Sequence, residues 1–389
     1  MCGNHRHDGT PVDHHHVRPV LRPAVRRAAI VVLAAGIFVA ACSDDTAPAT
    51  SMPSTTMPST TMPDTSAPST TAPTPPITNV EVATINVLHG LAPPISGCAV
   101  ETDQCNVEAR VGILWDLLET EAGCPEIIAL QEIAERWFEV VPERIGELCD
   151  GTHVVLTEDL GLFDQEMILT TLPVLDHARV ELAGAPVWSA HWAQLDAGDG
   201  LTVDVFGTHY ASSSFNPPCS PDAPATTCHP DCPAGSDLGD CHPYETLAFL
   251  AERATPGSLQ LVVGDLNNGP DEPRIRTLVE AGFVDTHLAA GNEECPDEGG
   301  AGCTSGIGSG AGTDYDGLDV ADTTLRGRID HVLARPPLGC VLVVDATDAD
   351  GDGTATGPWA DQPLPEPVEG LYWASDHAGI QADLGIDCT

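Results

Sequence analysis

From residue 77 onwards, short apolar runs alternate with stretches whose apolar residues recur at helical spacing. Such runs predict buried strands, and the helical spacing predicts amphipathic helices. The predicted strands span residues 80–88, 127–130, 167–171, 201–208, 259–264, 329–334, 341–344 and 379–384. The predicted helices span residues 107–118, 137–148, 244–254 and 275–281. Because no internal boundary interrupts this alternation, residues 77–389 are predicted to form one α/β domain.

The first segment of the chain is predicted to lie outside this domain. Four arginines precede an apolar run over residues 28–41, which is shorter than the about 20 residues of a membrane-spanning helix and suits the core of a signal peptide. The run ends Val39-Ala40-Ala41-Cys42, which resembles a bacterial lipobox. We therefore expect residues 1–41 to be a lipoprotein signal peptide and Cys42 to be lipidated. The alternative is an ordinary signal peptide with an incidental cysteine.

Residues 42–76 read as a linker rich in Ser, Thr and Pro, in which a five-residue unit at 52–56 recurs at 57–61. This composition has little to bury and predicts an extended, solvated spacer that reaches up to roughly 100 Å. A lipid and a spacer together predict an exported protein, anchored to the cell envelope and facing outside the cytoplasm.

The cysteines agree with export. Two of the 14 cysteines lie at positions 2 and 42, which leaves an even number in the domain, as expected of disulfides in an oxidising compartment. Proximity along the chain suggests the pairs Cys98–Cys105, Cys124–Cys149, Cys295–Cys303 and Cys340–Cys388. The pairing among Cys219, Cys228, Cys232 and Cys241 is left open. A zinc knuckle is the alternative there, with ligands from Cys228, His229, Cys232, Cys241 and His242.

The chain is strongly acidic, with 58 Asp and Glu against 15 basic residues, all of them arginine, and a formal net charge of −43. This charge repels a polyanion at long range and argues against nucleic-acid binding by bulk charge. A phosphate-containing substrate must therefore be held by local groups or by a metal ion. The acidic surface itself is most simply read as a means of staying soluble in salty surroundings.

Six groups of polar residues lie at the ends of predicted strands, where rigid scaffolds present chemical groups. Each group alone is explained as well by a turn or a helix cap, but six in this order indicate a site. They are Thr84-Ile85-Asn86, Gln131-Glu132, Thr208-His209, Gly264-Asp265-Leu266-Asn267, Arg328-Ile329-Asp330-His331 and Ser375-Asp376-His377.

Together these groups closely resemble the motifs of the endonuclease/exonuclease/phosphatase superfamily, the DNase I-like fold: T-x-N, Q-E, T-H, G-D-x-N, R-x-D-[HY] and S-D-H. The resemblance covers residues 80–384. It implies a four-layer α/β sandwich of two packed mixed β-sheets flanked by helices, with the site at one end. It also implies hydrolysis of phosphate esters with Mg²⁺ or Mn²⁺.

The resemblance implies a role for each polar residue. Glu132 is implied as the main metal ligand, with Asn86 and Asp376 near it, and hard oxygen ligands of this kind suit Mg²⁺. Asp265 is implied to orient or deprotonate the attacking water, and Asn267 to hold a phosphoryl oxygen.

His209 and His377 are implied to contact the phosphate from opposite sides as acid, base or electrostatic stabiliser, so that Asn86, Asn267 and His209 also bind substrate. Each histidine needs a carboxylate that fixes its tautomer. The resemblance implies Asp330 as the partner of His377. For His209 we expect Glu166, and the alternative is that Glu166 is a solvated surface carboxylate.

Two departures bear on the substrate. Ile133-Ala134-Glu135 follows the Q-E pair, where nuclease members often carry a basic residue, and a Pro- and Cys-rich insertion at 211–243 follows His209. The leading hypothesis is a divalent-metal-dependent phosphodiesterase, an extracellular nuclease, that acts as a monomer without a protein partner. The alternatives are a sphingomyelinase-type lipid phosphodiesterase, tethered to its membrane substrate, and a catalytically silent Ca²⁺-binding surface module.

The Ca²⁺ hypothesis depends on Asp348, Asp350 and Asp352, which match the first half of a calcium-binding loop. The twelfth position of that pattern is Trp359 where a bidentate Glu is expected. A structural Ca²⁺ and a plain acidic loop are both compatible with this sequence.

Overall fold

The computed structural model describes residues 78–88, 106–134, 136–158, 164–185, 188–213, 216–220, 222, 227–306, 318–322, 324–345 and 355–388. Several predictions concern residues outside these ranges and stay predictions: the signal peptide, the lipidated Cys42, the linker, the Cys98–Cys105 bridge and the Asp348, Asp350 and Asp352 calcium loop. Among the described residues, none of the helices is both long enough and apolar enough to span a bilayer.

The strands of the described chain form two sheets. The strands are β1 (Thr78–Asn86), β2 (Ile127–Ile133), β3 (Val154–Leu156), β4 (Gln165–Thr170), β5 (Val174–Glu181), β6 (Ser189–Asp196), β7 (Thr202–His209), β8 (Leu259–Asp265), β9 (Val284–Asp285), β10 (Asp330–Arg335), β11 (Val341–Val344), β12 (Gly357–Trp359) and β13 (Gly379–Asp387). The first sheet has the order β11-β13-β1-β2-β4-β3, with β12 also paired to β13. The second has the order β5-β6-β7-β8-β10-β9. In each sheet one central pair, β1–β2 or β7–β8, is parallel and its other neighbours are antiparallel, so both sheets are mixed.

Helices lie against the outer face of each sheet. They are α1 (Val107–Thr120), α2 (Arg136–Arg144), α3 (Leu238–Arg253), α4 (Pro273–Glu280) and α5 (Thr286–Ala289), and a 3-10 turn at Ile145–Glu147 follows α2. Residues of α1 and α2 pack on the first sheet, and residues of α3 and α4 pack on the second. The predicted four-layer α/β sandwich is confirmed.

The central strands are apolar on both faces because each face packs against another layer. In β2, Ile127 and Ala129 belong to the core between the sheets, whereas Ile128 and Leu130 belong to the core beneath α1 and α2. This double burial explains why the central strands appear in the sequence as continuous apolar runs. It also holds the strand ends rigidly, so that the groups they carry have fixed positions.

All eight predicted strands and all four predicted helices are present, with ends that shift by up to six residues. Five strands were missed: the short β3, β9 and β12, and the eight-residue β5 and β6. In β5 most side chains are exposed or half-exposed, and β6 buries small and polar side chains such as Ser189, Ala190 and His191 rather than a run of large apolar ones. Neither strand therefore shows the apolar pattern on which the prediction relied.

Five disulfides join described cysteines. Cys124–Cys149, Cys295–Cys303 and Cys340–Cys388 confirm the predictions. The four cysteines whose pairing the sequence left open form the bridges Cys219–Cys228 and Cys232–Cys241, and their sulfurs lie within 4.8 Å of one another. These sulfurs are covalently paired, and His242 places one ring nitrogen 2.9 Å from the Ala183 carbonyl and the other 3.3 Å from the Ala211 N–H. The structure therefore favours two disulfides over the zinc-knuckle alternative, and it gives His242 backbone partners on both ring nitrogens.

We expect the bridge that closes the longer loop to stabilise the fold more. Cys340–Cys388 spans 48 residues and Cys295–Cys303 spans 8. Loop-closure entropy predicts losses of roughly 4 and roughly 2.5 kcal/mol, respectively, when the bridges are removed. Denaturant unfolding of the double Cys→Ser variants, each compared with the wild type, measures the two losses. A larger loss for the shorter loop would contradict the entropic account.

Candidate active site

The register of the second sheet places three predicted site residues side by side. His209 at the end of β7 lies opposite Asp265 at the end of β8, and Asp265 lies opposite Asp330 at the start of β10. Gly264, just before Asp265, permits this close approach, since a Cβ atom built on it would lie 2.0 Å from the Thr208 carbonyl oxygen. The glycine of the G-D-x-N motif is thus required by the packing of β8 against β7.

Asn86 joins the two sheets at the site. Its Nδ2 donates to Glu132 Oε1 at 2.8 Å and to Asp265 Oδ2 at 3.1 Å, and its Oδ1 accepts from the Leu88 N–H at 3.0 Å. Glu132 has a φ of 60° and lies where the β2–β4 pairing shifts between Leu130 and Ile133. A bulge of this kind redirects a side chain away from the regular alternation of a strand, which here brings Glu132 to Asn86.

His209 is held on both ring nitrogens. Its Nδ1 lies 2.8 Å from Asp164 Oδ1, and its Nε2 lies 2.9 Å from Asn267 Nδ2 and 3.5 Å from Asp265 Oδ2. With the proton on Nδ1, the ring donates to Asp164 and accepts from the Asn267 amide. When doubly protonated, the ring no longer accepts from the Asn267 amide and instead donates from Nε2 toward Asp265.

The prediction that Glu166 is the carboxylate partner of His209 is wrong. Glu166 instead accepts a hydrogen bond from Ser189 Oγ at 2.5 Å, and burial and the charge of Asp164 raise its pKa well above the ordinary value. Asp164 lies just before β4, and its φ of 62° takes its side chain out of the strand alternation and next to His209. The sequence therefore indicated the correct segment of the chain, but only the structure identified which carboxylate contacts the imidazole.

His377 is placed as His209 is, with an aspartate at Nδ1 and Asp265 near Nε2. Its Nδ1 lies 2.8 Å from Asp330 Oδ2, as predicted, and its Nε2 lies 3.9 Å from Asp265 Oδ2. Asp265 therefore lies between two imidazoles, each backed by an aspartate on its far side. Asp376, next to His377, accepts a 3.4 Å hydrogen bond from Ser375 Oγ.

The burial of the site shifts the pKa values of its charged groups. Burial, and then repulsion by Asp330, raises the pKa of Asp265 to about 6. Burial lowers the pKa of both histidines, but the neighbouring carboxylates outweigh it: Asp164 and Asp265 for His209, and Asp330, Asp376 and Asp265 for His377. Both imidazole pKa values therefore lie well above the ordinary value, which favours the protonated rings in neutral solution.

The donor atoms of the site suit a divalent cation. One ligand atom each of Asp265, Asp330 and His377 lies within 4.8 Å of the others. Asp330 Oδ1 is buried without a hydrogen-bond partner, and the Glu132 carboxylate lies beside Asn86 and 3.9 Å from His209. Glu132, with these other carboxylates close by, could hold a hard cation such as Mg²⁺, which takes oxygen ligands and retains several waters. When bound, such an ion would neutralise charge on a phosphoryl group.

The sequence model of the Endonuclease/Exonuclease/phosphatase family matches residues 83–377. The chain belongs to this family. Its enzymes hydrolyse phosphodiester bonds and typically use divalent metals. No curated protein matches this chain significantly in sequence.

Solved structures of the family share the fold. Danio rerio TDP2, complexed with single strand DNA product, is 14% identical, with a TM-score of 0.51 over 79% of this chain and 98% of that chain. A Bacteroides vulgatus family member is 14% identical, with a TM-score of 0.50 over 79% of this chain and 98% of that one. A Bacteroides thetaiotaomicron member is 12% identical, with a TM-score of 0.50 over 81% of this chain and 100% of that one. At these identities the likeness shows the fold alone.

The structure brings most of the predicted site residues of this family member together. Asn86, Glu132, His209, Asp265, Asn267, Asp330 and His377 converge at one end of the sandwich. Asp376 lies beside them, and Glu166 lies on β4, two residues after Asp164. Asp164 and Glu166 both precede the predicted strand at 167–171, and the only sequence signal of Asp164 was its position two residues before Glu166.

Removing the carboxylate of Asp164 should impair the site more than removing that of Glu166. We expect Asp164→Asn to lower phosphodiester hydrolysis by about a hundredfold or more, because an amide no longer selects the tautomer with the proton on Nδ1. Glu166→Gln should cost less than about tenfold, since a neutral amide resembles the neutral acid that burial favours. Steady-state kinetics of the two variants, with circular dichroism as a folding control, provide the measurement. Equal losses in both variants would contradict the assignment of Asp164.

Proposed function

We propose that this protein is an envelope-anchored, divalent-metal-dependent phosphodiesterase that acts as an extracellular nuclease. The observation that carries the hydrolytic part is the position of Asp265 between the His209–Asp164 and His377–Asp330 pairs. A phosphoryl group that lies in front of Asp265 would meet an imidazole from each side.

The proposed reaction divides among the residues by their chemistry. With a pKa of about 6, Asp265 is mostly ionised in neutral solution and can orient a water molecule and accept its proton. A protonated His377 or His209 can donate to the leaving oxygen or stabilise charge on a phosphoryl oxygen. Asn267 can donate a hydrogen bond to a phosphoryl oxygen once a protonated His209 no longer accepts from it, and Asn86, which donates to Glu132 and Asp265, orients those two carboxylates. Mg²⁺ or Mn²⁺, bound through Glu132, Asn86 and Asp376, would supply the remaining charge neutralisation.

The distribution of arginines favours a second candidate substrate, a small or lipid-headgroup phosphodiester. The surface arginines 136, 144 and 253 each form an ion pair with a carboxylate, whereas the exposed Arg276 and Arg326 form none with a described residue. The charge of the first three is therefore largely matched within the protein rather than offered to a long polyanion. A phosphodiester with a single charge loses less from a negative surface than a nucleic acid does.

A substrate panel tests the proposed function. Purified mature protein with Mg²⁺ or Mn²⁺ is incubated with plasmid DNA, RNA, sphingomyelin vesicles and bis(4-nitrophenyl) phosphate. We expect hydrolysis of at least one diester, loss of activity with EDTA, and recovery when the metal is returned. His377→Ala and Asp265→Asn should lower the rate by about a hundredfold to ten-thousandfold, because each removes a proton-transfer or positioning group.

The matched control is Asp199→Asn, which removes an exposed carboxylate from the turn between β6 and β7 and should leave the rate unchanged. Hydrolysis of sphingomyelin alone would favour the lipid candidate. A wild-type protein that is inert on every ester would overturn the proposal and favour a silent surface module.

The proposed anchor is tested separately. Cys42→Ala removes the sulfur to which a lipid would be attached, so we expect the protein to move from the membrane fraction to the medium. Immunoblots of the two fractions, with Cys2→Ala as the matched control, measure this change. Unchanged retention of Cys42→Ala at the membrane would refute the anchor.

A further inference from the structure

Two buried arginines each join the backbones of two loops that carry site residues. Arg110 lies on α1 and has no exposed surface, and Arg274 lies on α4 and is 2% exposed. Neither is among the residues that the proposed reaction uses. We call their contacts the Arg110 clamp and the Arg274 clamp.

The Arg110 clamp joins the loop after β1 to the loop before β13. Its Nε donates to the Ala374 carbonyl at 2.7 Å, and its two terminal nitrogens donate to the Leu88 carbonyl, at 3.0 Å, and to the Val87 carbonyl. Val87 follows Asn86 directly, and Ala374 lies three residues before His377. The guanidinium also stacks over the Trp137 ring, 5.1 Å from its centroid.

The Arg274 clamp joins the loop after β7 to the loop after β8. Nη1 donates to the Ala211 carbonyl at 2.6 Å and lies 3.4 Å from each of the Leu266 and Asn267 carbonyls. Ala211 lies two residues after His209, and Leu266 follows Asp265. Nε donates to Asp240 Oδ1 at 3.2 Å, which ties the clamp to α3.

Burial of a guanidinium away from water costs free energy, and apolar residues of similar volume often stabilise a core at least as well. The arginine fork has an advantage that those residues lack, because it donates in several fixed directions at once. In Arg110 three nitrogens reach carbonyls of two separate loops, and in Arg274 Nη1 does so while Nε holds Asp240. The geometry therefore suits loop placement better than it suits core stability alone.

We propose that Arg110 and Arg274 are positioning residues for the two halves of the site. Arg110 holds the Asn86 loop against the His377 loop, and Arg274 holds the His209 loop against the Asp265–Asn267 loop. This inference rests on the proposed function for its effect on rate, but its structural part can be measured without any activity.

Histidine-selective NMR of the full mature protein tests the selectivity of each clamp. Arg110→Lys and Arg110→Met should shift the imidazole ¹⁵N and Nδ1–H signals of His377 and leave those of His209 in place. Arg274→Lys and Arg274→Met should shift the signals of His209 and leave those of His377 in place. His209→Asn and His377→Asn assign the signals, and Arg253→Lys, an exposed arginine on α3, is the matched control.

We also expect the rate of phosphodiester hydrolysis to depend on the contacts of Arg110 and Arg274. A displacement of about 1 Å can lower a catalytic rate by about a hundredfold. We therefore expect kcat to fall roughly tenfold to a hundredfold in both lysine variants, with a smaller change in KM, because lysine keeps the charge but not the fork. Thermal unfolding monitors global stability, and the lysine variants cover the case in which a methionine variant does not fold.

The outcomes separate the two proposals. If wild-type protein hydrolyses no phosphate ester, the proposed function fails while the NMR spectra still test the clamps. If the wild type is active and the spectra show equal shifts at both histidines, or no shift at either, the clamps are overturned. Selective shifts with an unchanged rate would also overturn the positioning role.

Discussion

The structure of the site depends on the placement of one buried carboxylate, Asp265, at the meeting point of the two sheets. Burying a carboxylate away from water costs free energy unless opposite charges and hydrogen bonds stabilise it. Asn86 from the opposite sheet supplies a hydrogen bond at 3.1 Å, the Asn267 backbone N–H supplies another at 2.9 Å, and two imidazoles lie within 4 Å. The groups that stabilise this buried carboxylate include the imidazoles of His209 and His377, so the same contacts place two acid–base groups beside it.

Backbone conformation at the site follows from this requirement. Glu132, Asp164 and Asn267 all have φ between 51° and 62°, a region that non-glycine residues adopt at a cost. Each of these residues lies just outside regular strand geometry, where a side chain can turn toward the junction of the sheets. The doubly buried strands hold these conformations in place.

Charge is distributed in opposite ways at the surface and in the interior. The chain is acidic overall, and several of its surface arginines are paired with carboxylates. The interior instead buries cationic groups close to the site: Arg110 and Arg274 beneath the loops, and Arg328, which pairs with Asp285 and Glu294 beside β10. The positive charge near the site therefore resides in groups that hold backbone and carboxylates in place.

The sequence by itself predicted an α/β domain, because doubly buried strands produce apolar runs. The resemblance of its six polar groups to the motifs of a family predicted the layered sandwich and the seven residues that converge at the site. The sequence also determined three of the five disulfides in the described chain, where cysteines had a single near neighbour to pair with. It left open the pairing of Cys219, Cys228, Cys232 and Cys241, which lie together in space. It misassigned the partner of His209, because the choice between two carboxylates two residues apart depends on the backbone conformation just before β4. The arginine contacts with backbone carbonyls leave no motif at all, since any residue type presents the same carbonyl. Only the tertiary structure decided these points, because distances between groups far apart in the chain depend on how the sheets pack.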